Sequence, residues 1–199
     1  MVMPENNKNK SEILKLSLKK LRLHGWSDEL LEEVSYELYK DHHKAEIIFG
    51  SVKNLVDYYL QDIDNKMLEK LKKLDPKKLK IRECIKQAIL IRINLLKQDH
   101  VKETLKFFAN PLNADLGLSS LMRTCDHIWH FAGDKSTDFN YYTKRILLSG
   151  VYSSTLLYYL KEPDPKKIEE FVADRIDNVL TIGKFKQNVN EFLTDKFNC

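Results

Sequence analysis

Residues 27–60 read SDELLEEVSYELYKDHHKAEIIFGSVKNLVDYYL, and the stretch decides the fold. Ser27 stands just before Asp28, Glu29 and a stripe of Leu30, Leu31, Val34 and Leu38. A hydroxyl suited to capping, acids where the helix dipole favours them and an apolar repeat near 3.6 residues therefore coincide. A short helix is predicted over about Asp41 to Phe49, stopping at Gly50. Ser51 then caps a longer helix through Val52, Leu55, Val56, Tyr59, Leu60 and Ile63. Nothing in the stretch alternates with period two, so the fold class is all-α.

The flanks agree. Upstream, Ile13, Leu14, Leu18 and Leu21 share one helical face and Gly25 marks its stop, while residues 1–10 are polar and expected to form a disordered tail. Downstream, Asp75-Pro76, Asn110-Pro111 and Asp164-Pro165 each close one helix and open another. Between them lie the stripes Ile81, Ile85, Ala88, Ile89, Leu95, Leu96 and Leu118, Leu121, Met122, Cys125, Ile128, Trp129, with a short helix over Val101 to Phe108. Gly133 ends the Trp129 helix, and Ser136 or Thr137 is expected to cap the next, which runs to about Lys161. Phe185, Val189, Phe192, Leu193 and Phe197 form the apolar face of a terminal amphipathic helix, equally suited to a membrane surface and to the core. The expected division is a tail (1–10), a helix-turn-helix-like module (11–64), a helical bundle (65–183) and the terminal helix (184–199), about nine or ten helices in one continuous architecture.

Composition supports helix, because only six glycines and five prolines interrupt 199 residues. Thirty-three bases against 29 acids make a mixed surface. The exception is Lys66 to Arg82, where eight bases face Glu69 and Asp75; the strip suits anionic lipid or phosphate, and also a plain solvated helix face. Three cysteines, Cys84, Cys125 and Cys199, have no paired spacing, which points to a reducing compartment. The first ten residues show no apolar signal region, and the longest uncharged run, Ile146 to Leu160, is short of the roughly 20 residues that span a bilayer.

Catalytic signatures are missing. The glycines never fall two or five apart, so neither a dinucleotide fingerprint nor a phosphate loop can form, and no Gly-x-Ser-x-Gly elbow occurs. His127 and His130 lie one turn apart beside Cys125 and Asp126, but two ligands do not close a site and no histidine has an acid three residues before it. No catalytic residue and no metal ligand is assigned.

The segment from Ser27 to Leu60 resembles the DNA-binding module of TetR-type repressors. Its recognition helix is poorly suited to DNA. From Lys40 to Phe49, Lys40 and Lys44 are balanced by Asp41 and Glu46, where counterion release requires a surplus of bases. A ligand-sensing repressor is the alternative reading; nucleic acid is not the expected partner.

Residues 133–145, GDKSTDFNYYTKR, carry more chemistry than a helix start needs. Capping accounts for Ser136, Thr137 and Asp138, but Tyr141, Tyr142, Lys144 and Arg145 are left over. Asp138, Tyr141, Tyr142 and Arg145 share one helical face, and aromatic residues with arginine are what protein-contact hot spots are enriched in.

The run MRTCDHIWHFAGDKSTDFNYYTKRILLSGVYSSTLLYYL, with HGWSDE before it and FVADRIDNVL after it, closely resembles the ubiquinone-biosynthesis accessory family known as Coq-nine, over about residues 12–182. Its most specific part is Gly133-Asp134, Ser136-Thr137-Asp138 and Tyr142-Thr143-Lys144-Arg145; Tyr141 departs from the family's usual Trp. The resemblance implies a TetR-like, dimeric all-α fold that binds isoprenoid quinone intermediates and has no activity of its own. It also implies that the chain assists the di-iron demethoxyubiquinone hydroxylase, with Tyr141 and Tyr142 in docking. The expected guest is a lipid or quinone rather than a cofactor, in a pocket lined by Leu118, Leu121, Met122, Trp129, Tyr152 and Leu156. The expected location is peripheral on the bacterial inner membrane, or the mitochondrial matrix side for a processed chain.

Overall fold

The computed structural model describes residues 4–136 and 139–179. Among them the chain forms nine α-helices and no strands: α1 (Pro4–His24), α2 (Asp28–Tyr39), α3 (Lys44–Phe49), α4 (Val52–Leu71), α5 (Ile81–Ile93), α6 (Gln98–Ala109), α7 (Ala114–Phe131), α8 (Phe139–Lys161) and α9 (165–179). The expected tail does not hold over residues 4–10, since α1 begins at Pro4. Its segment is polar but contains no glycine and no internal proline. The helix built on Ile13 therefore runs back to Pro4, where the missing N–H is one of the first turn's unpaired donors anyway.

Two compact units emerge, and neither follows the expected boundaries. Among the described residues, the first joins the chain up to Lys70 with Asn94–Thr124; the second joins Leu71–Ile93 with the chain from Cys125 to 179. The division at 64 and 65 fails because α6 and the start of α7 pack with the first four helices.

In the first unit the caps follow the sequence. Ser27 accepts from the Leu30 N–H, and Gly25, at φ 62°, turns the chain out of α1 in a conformation that a side chain resists. Ser35 joins α2 to α3 by donating to the Asp41 carbonyl at 2.5 Å and accepting from the Ala45 N–H at 2.9 Å. Ile13, Leu21, Leu30, Val34, Leu55 and Val56 are fully buried in one cluster, each contributing about 1.5–3 kcal/mol. The Trp26 indole donates to Thr104 Oγ at 3.0 Å, tying the α1–α2 turn to α6. Buried Asp64 on α4 accepts from Thr124 at 2.9 Å, and Arg123 reaches Asp57 at 2.9 Å, which seats the first half of α7.

In the second unit α5 buries Cys84, Ile85, Ala88, Ile89 and Ile93, the end of α7 buries Cys125 and Ile128, α8 buries Leu148, Val151 and Tyr152, and α9 buries Ile168, Val172 and Ile176. Buried Arg92 on α5 donates to the Tyr152 hydroxyl and lies over its ring. At the surface, Arg82 pairs with Asp177 at 2.7 Å and Lys86 with Glu169 at 3.3 Å; Tyr158 stacks on Phe171 at 4.2 Å. No helix among the described residues is long and apolar enough to cross a membrane.

Candidate functional site

The α7–α8 corner gathers the polar side chains that helix capping leaves over. Gly133, at φ 86°, takes the left-handed turn that ends α7, and the Asp134 N–H bonds back to the Trp129 carbonyl at 3.0 Å. That turn aims the Asp134 carboxylate at α8. It accepts from Ser136 Oγ at 2.5 Å, Lys144 Nζ at 2.6 Å and Arg145 Nη1 at 2.9 Å. The Ser136 hydroxyl, expected as a cap, donates to Asp134 and accepts from Lys144 Nζ at 3.0 Å; Thr137 and Asp138 lie outside the described residues.

Arg145 extends the network to α7. Its Nε and Nη2 donate to Asp126 Oδ1 at 2.8 and 2.7 Å, its Nη1 to the Tyr141 carbonyl at 3.1 Å, and its guanidinium sits 3.4 Å from the centre of the Tyr141 ring. The Tyr141 hydroxyl donates to the same Asp126 oxygen at 3.1 Å. The Trp129 indole donates to the Lys144 carbonyl at 3.0 Å, with the Lys144 ammonium 5.5 Å from its ring. Burial alone would raise the Asp134 carboxyl; the hydrogen bonds from Lys144, Ser136 and Arg145 outweigh it and hold the group well below the usual carboxylate range. Burial likewise disfavours the Arg145 charge, and its bonds to Asp134 and Asp126 more than offset that. A carboxylate so held is ionised at neutral pH and unsuited to proton transfer, which favours a structural clamp over a general acid.

The expected contact face therefore divides. The Arg145 side chain is 4 % exposed, so it points inward and cannot meet a partner, contrary to the expectation from its shared face with Tyr142. The physical reason is that two carboxylates across the turn, Asp126 and Asp134, outcompete water for three of its N–H donors. Tyr142 is 62 % exposed, Tyr141 half-buried beside it, and their rings meet edge-on at 5.2 Å. The clamp holds up an aromatic pair. Asp126 and Asp134 are anchors that sequence reasoning did not assign; the one signal was that Asp134, Ser136, Lys144 and Arg145 all fall within the pattern most specific to the family.

Of the expected pocket residues, Leu118, Leu121 and Met122 belong to the first unit and Trp129, Tyr152 and Leu156 to the second. Leu118 is exposed, Tyr152 is buried against Arg92, and Leu121, Met122, Trp129 and Leu156 are half-buried. A separate cavity of about 420 Å³ in the first unit is lined by other residues, among them Trp26, Glu103, Lys106 and Asn113. Phe185, Val189, Phe192, Leu193 and Phe197 lie outside the described residues. Among the described residues no three His, Cys, Asp or Glu side chains are grouped to hold a metal ion; His127 is half-buried and His130 exposed on α7.

Residues 114–183, which contain this corner, match the COQ9 family model. The probable ubiquinone biosynthesis protein coq9, mitochondrial, of Dictyostelium discoideum is 28% identical over 193 residues, covering 92% of this chain and 63% of that protein. The mitochondrial ubiquinone biosynthesis protein COQ9 of Rattus norvegicus is 29% identical over 188 residues, covering 89% and 60%. The human protein of that name is 27% identical, covering 89% and 59%. The chain thus spans about three fifths of the length of these curated relatives. Among solved structures, a TetR transcriptional regulator from Nitrosomonas europaea superposes with a TM-score of 0.70 at 13% identity, over 87% of this chain and 98% of that one. With its α7–α8 corner inside the matched segment, the chain is similar to the COQ9 ubiquinone biosynthesis proteins and has a TetR-like all-α fold.

Proposed function

We propose that this chain is an accessory protein of ubiquinone biosynthesis, not itself an enzyme, that binds isoprenoid quinone precursors and presents them to the di-iron demethoxyubiquinone hydroxylase. The observation that carries the reading is the alignment with COQ9 proteins over about nine tenths of the chain, through the clamped corner. Because its relatives are named as mitochondrial, the proposed location is the matrix side of the inner membrane rather than a bacterial cytoplasm.

Physical chemistry explains the use of such a helper. At about 0.8 kcal/mol per buried CH₂, each five-carbon isoprene unit costs several kcal/mol to expose, so a long tail keeps its ring in the bilayer. A protein that offers an apolar lining at the surface shortens that step. Trp129, Tyr152 and Leu156 of the second unit are the proposed lining, Tyr141 and Tyr142 the hydroxylase contact, and residues 184–199 the reversible attachment; a homodimer is the proposed assembly. The test has two parts. Mass spectrometry of lipid extracted from purified protein should find an isoprenoid quinone intermediate, and Tyr142→Ala should weaken hydroxylase capture while lipid content stays constant. Protein free of any lipid, or loss of both properties together, would overturn the reading.

One observation favours a second reading, a DNA-binding repressor: the fold likeness to the Nitrosomonas regulator. Against it, α3 is six residues long, sets Glu46 against Lys44 and presents Ile47 74 % exposed, a surface with no surplus charge for phosphates. Salt-dependent retention of duplex DNA would favour the repressor.

A further inference from the structure

We propose that the segment 72–82, the connection between α4 and α5 with the first two residues of α5, is a docking surface for an anionic phospholipid bilayer. Its sequence, KKLDPKKLKIR, carries six bases and one acid. Of the wider strip Lys66 to Arg82, Lys66 and Lys70 lie on the solvated face of α4, and the chain beyond Leu71 leaves the helix. Helix α4 stops at Leu71, Asp75 accepts from the Lys77 N–H at 3.1 Å, Pro76–Lys78 makes one 3₁₀ turn, and α5 starts at Ile81.

The departure from regular helix has an electrostatic consequence. On α4, exposed Lys66 meets Asp62 one turn away at 2.6 Å. In the connection such pairing runs out. Arg82 is taken by Asp177 at 2.7 Å and Lys78 lies 3.7 Å from Asp75, but among the described residues Lys73, Lys77 and Lys80 are exposed with no acidic partner. Ile81, 58 % exposed, stands next to Lys80 at the start of α5.

Unpaired ammonium groups and an exposed aliphatic side chain in one short stretch fit a lipid headgroup layer, where charges meet phosphates and the apolar group sinks toward the acyl boundary. They fit nucleic acid less well. No aromatic residue occurs between Tyr59 and Phe107 to stack on a base, and the connection offers no long helix or strand to enter a groove. An exposed isoleucine gains nothing from a phosphate backbone.

The experiment is flotation of the full chain with phosphatidylcholine vesicles, with and without phosphatidylserine, at low and high salt. Binding should require phosphatidylserine and weaken with salt. Each lysine neutralised should lower partition about fivefold, so Lys73→Gln, Lys77→Gln and Lys80→Gln together should lower it on the order of a hundredfold. Ile81→Ser should weaken binding at every salt concentration. These side chains are exposed, so melting temperature should not change, and the lipid extracted from the purified variants should match the parent; failure of this surface and failure of internal lipid binding therefore read separately. Undiminished partition of the triple variant, equal binding to neutral vesicles, or loss of oligonucleotide retention with vesicle binding intact would each overturn the proposal.

Discussion

Replacing Arg145 by methionine keeps the unbranched stem against Tyr141 and removes the guanidinium. Four hydrogen bonds go with it: two to Asp126, one to Asp134 and one to the Tyr141 carbonyl. Deleting one partner of a buried ion pair costs about 3–5 kcal/mol, because the remaining charge is stranded. Here the stranding is partial. Asp134 keeps Lys144 at 2.6 Å and Ser136 at 2.5 Å, and Asp126, with its side chain 43 % exposed, can turn to water. The loss therefore falls at the lower end, about 3 kcal/mol, and for a chain of this size that is a fall of roughly 6–12 °C in melting temperature. Arg145→Lys retains the charge but cannot fork between two carboxylates, and should lose about 1–2 kcal/mol. The assay is thermal unfolding followed by circular dichroism, with Arg145→Met, Asp134→Asn and the double variant forming a cycle whose coupling should exceed about 1 kcal/mol. A fall of less than about 3 °C for Arg145→Met, or no coupling, would put the pair in the class of exposed ion pairs and refute the clamp.

The Asp134 carboxyl is held below its ordinary value of 3.8, so its contribution is complete above that pH and fades as pH falls beneath it. The melting difference between the parent and Asp134→Asn should thus be level from about pH 5 to 7 and shrink below about pH 4; a difference unchanged at the lowest pH reached would contradict the assignment. Trp26→Phe removes the indole donor to Thr104, whose hydroxyl still donates to the His100 carbonyl at 2.7 Å, so urea unfolding should show a modest loss of about 1–2 kcal/mol. Tyr142→Ala lies on an exposed ring and should leave stability within about 0.5 kcal/mol while lowering hydroxylase affinity about tenfold or more, read by titration calorimetry.

Much of the helical order was legible because it rests on local chemistry. Ser27, Gly25, Gly50 and Asp164 act within a turn of themselves, and each does what its type predicts: Asp164, for instance, accepts from the N–H groups of Lys166 and Lys167. What stayed hidden depends on residues far apart in the chain. Arg145 shares a helical face with Tyr142, but its direction is set by carboxylates 19 and 11 positions away. Periodicity carries no information about such partners. The domain boundary failed for the same reason, since the Trp26 to Thr104 bond joins positions 78 apart. The polar start of α1 was misread because helix continuity there needs no apolar side chain, only the lack of a breaker.

The interleaving of the two units bears on how the chain is made. A ribosome delivers α1 to α4 and then the α5 segment, which belongs elsewhere, before Thr104 and Thr124 emerge to complete the first unit. Until then Trp26 and the Asp64 carboxylate wait for their bonds to those hydroxyls, and α5 must wait longer still for α8 and α9. A nascent chain arrested between residues 93 and 124 should accordingly be far more open to protease than one arrested after 124, and a fragment cut at Lys70 should fail to reproduce the first unit.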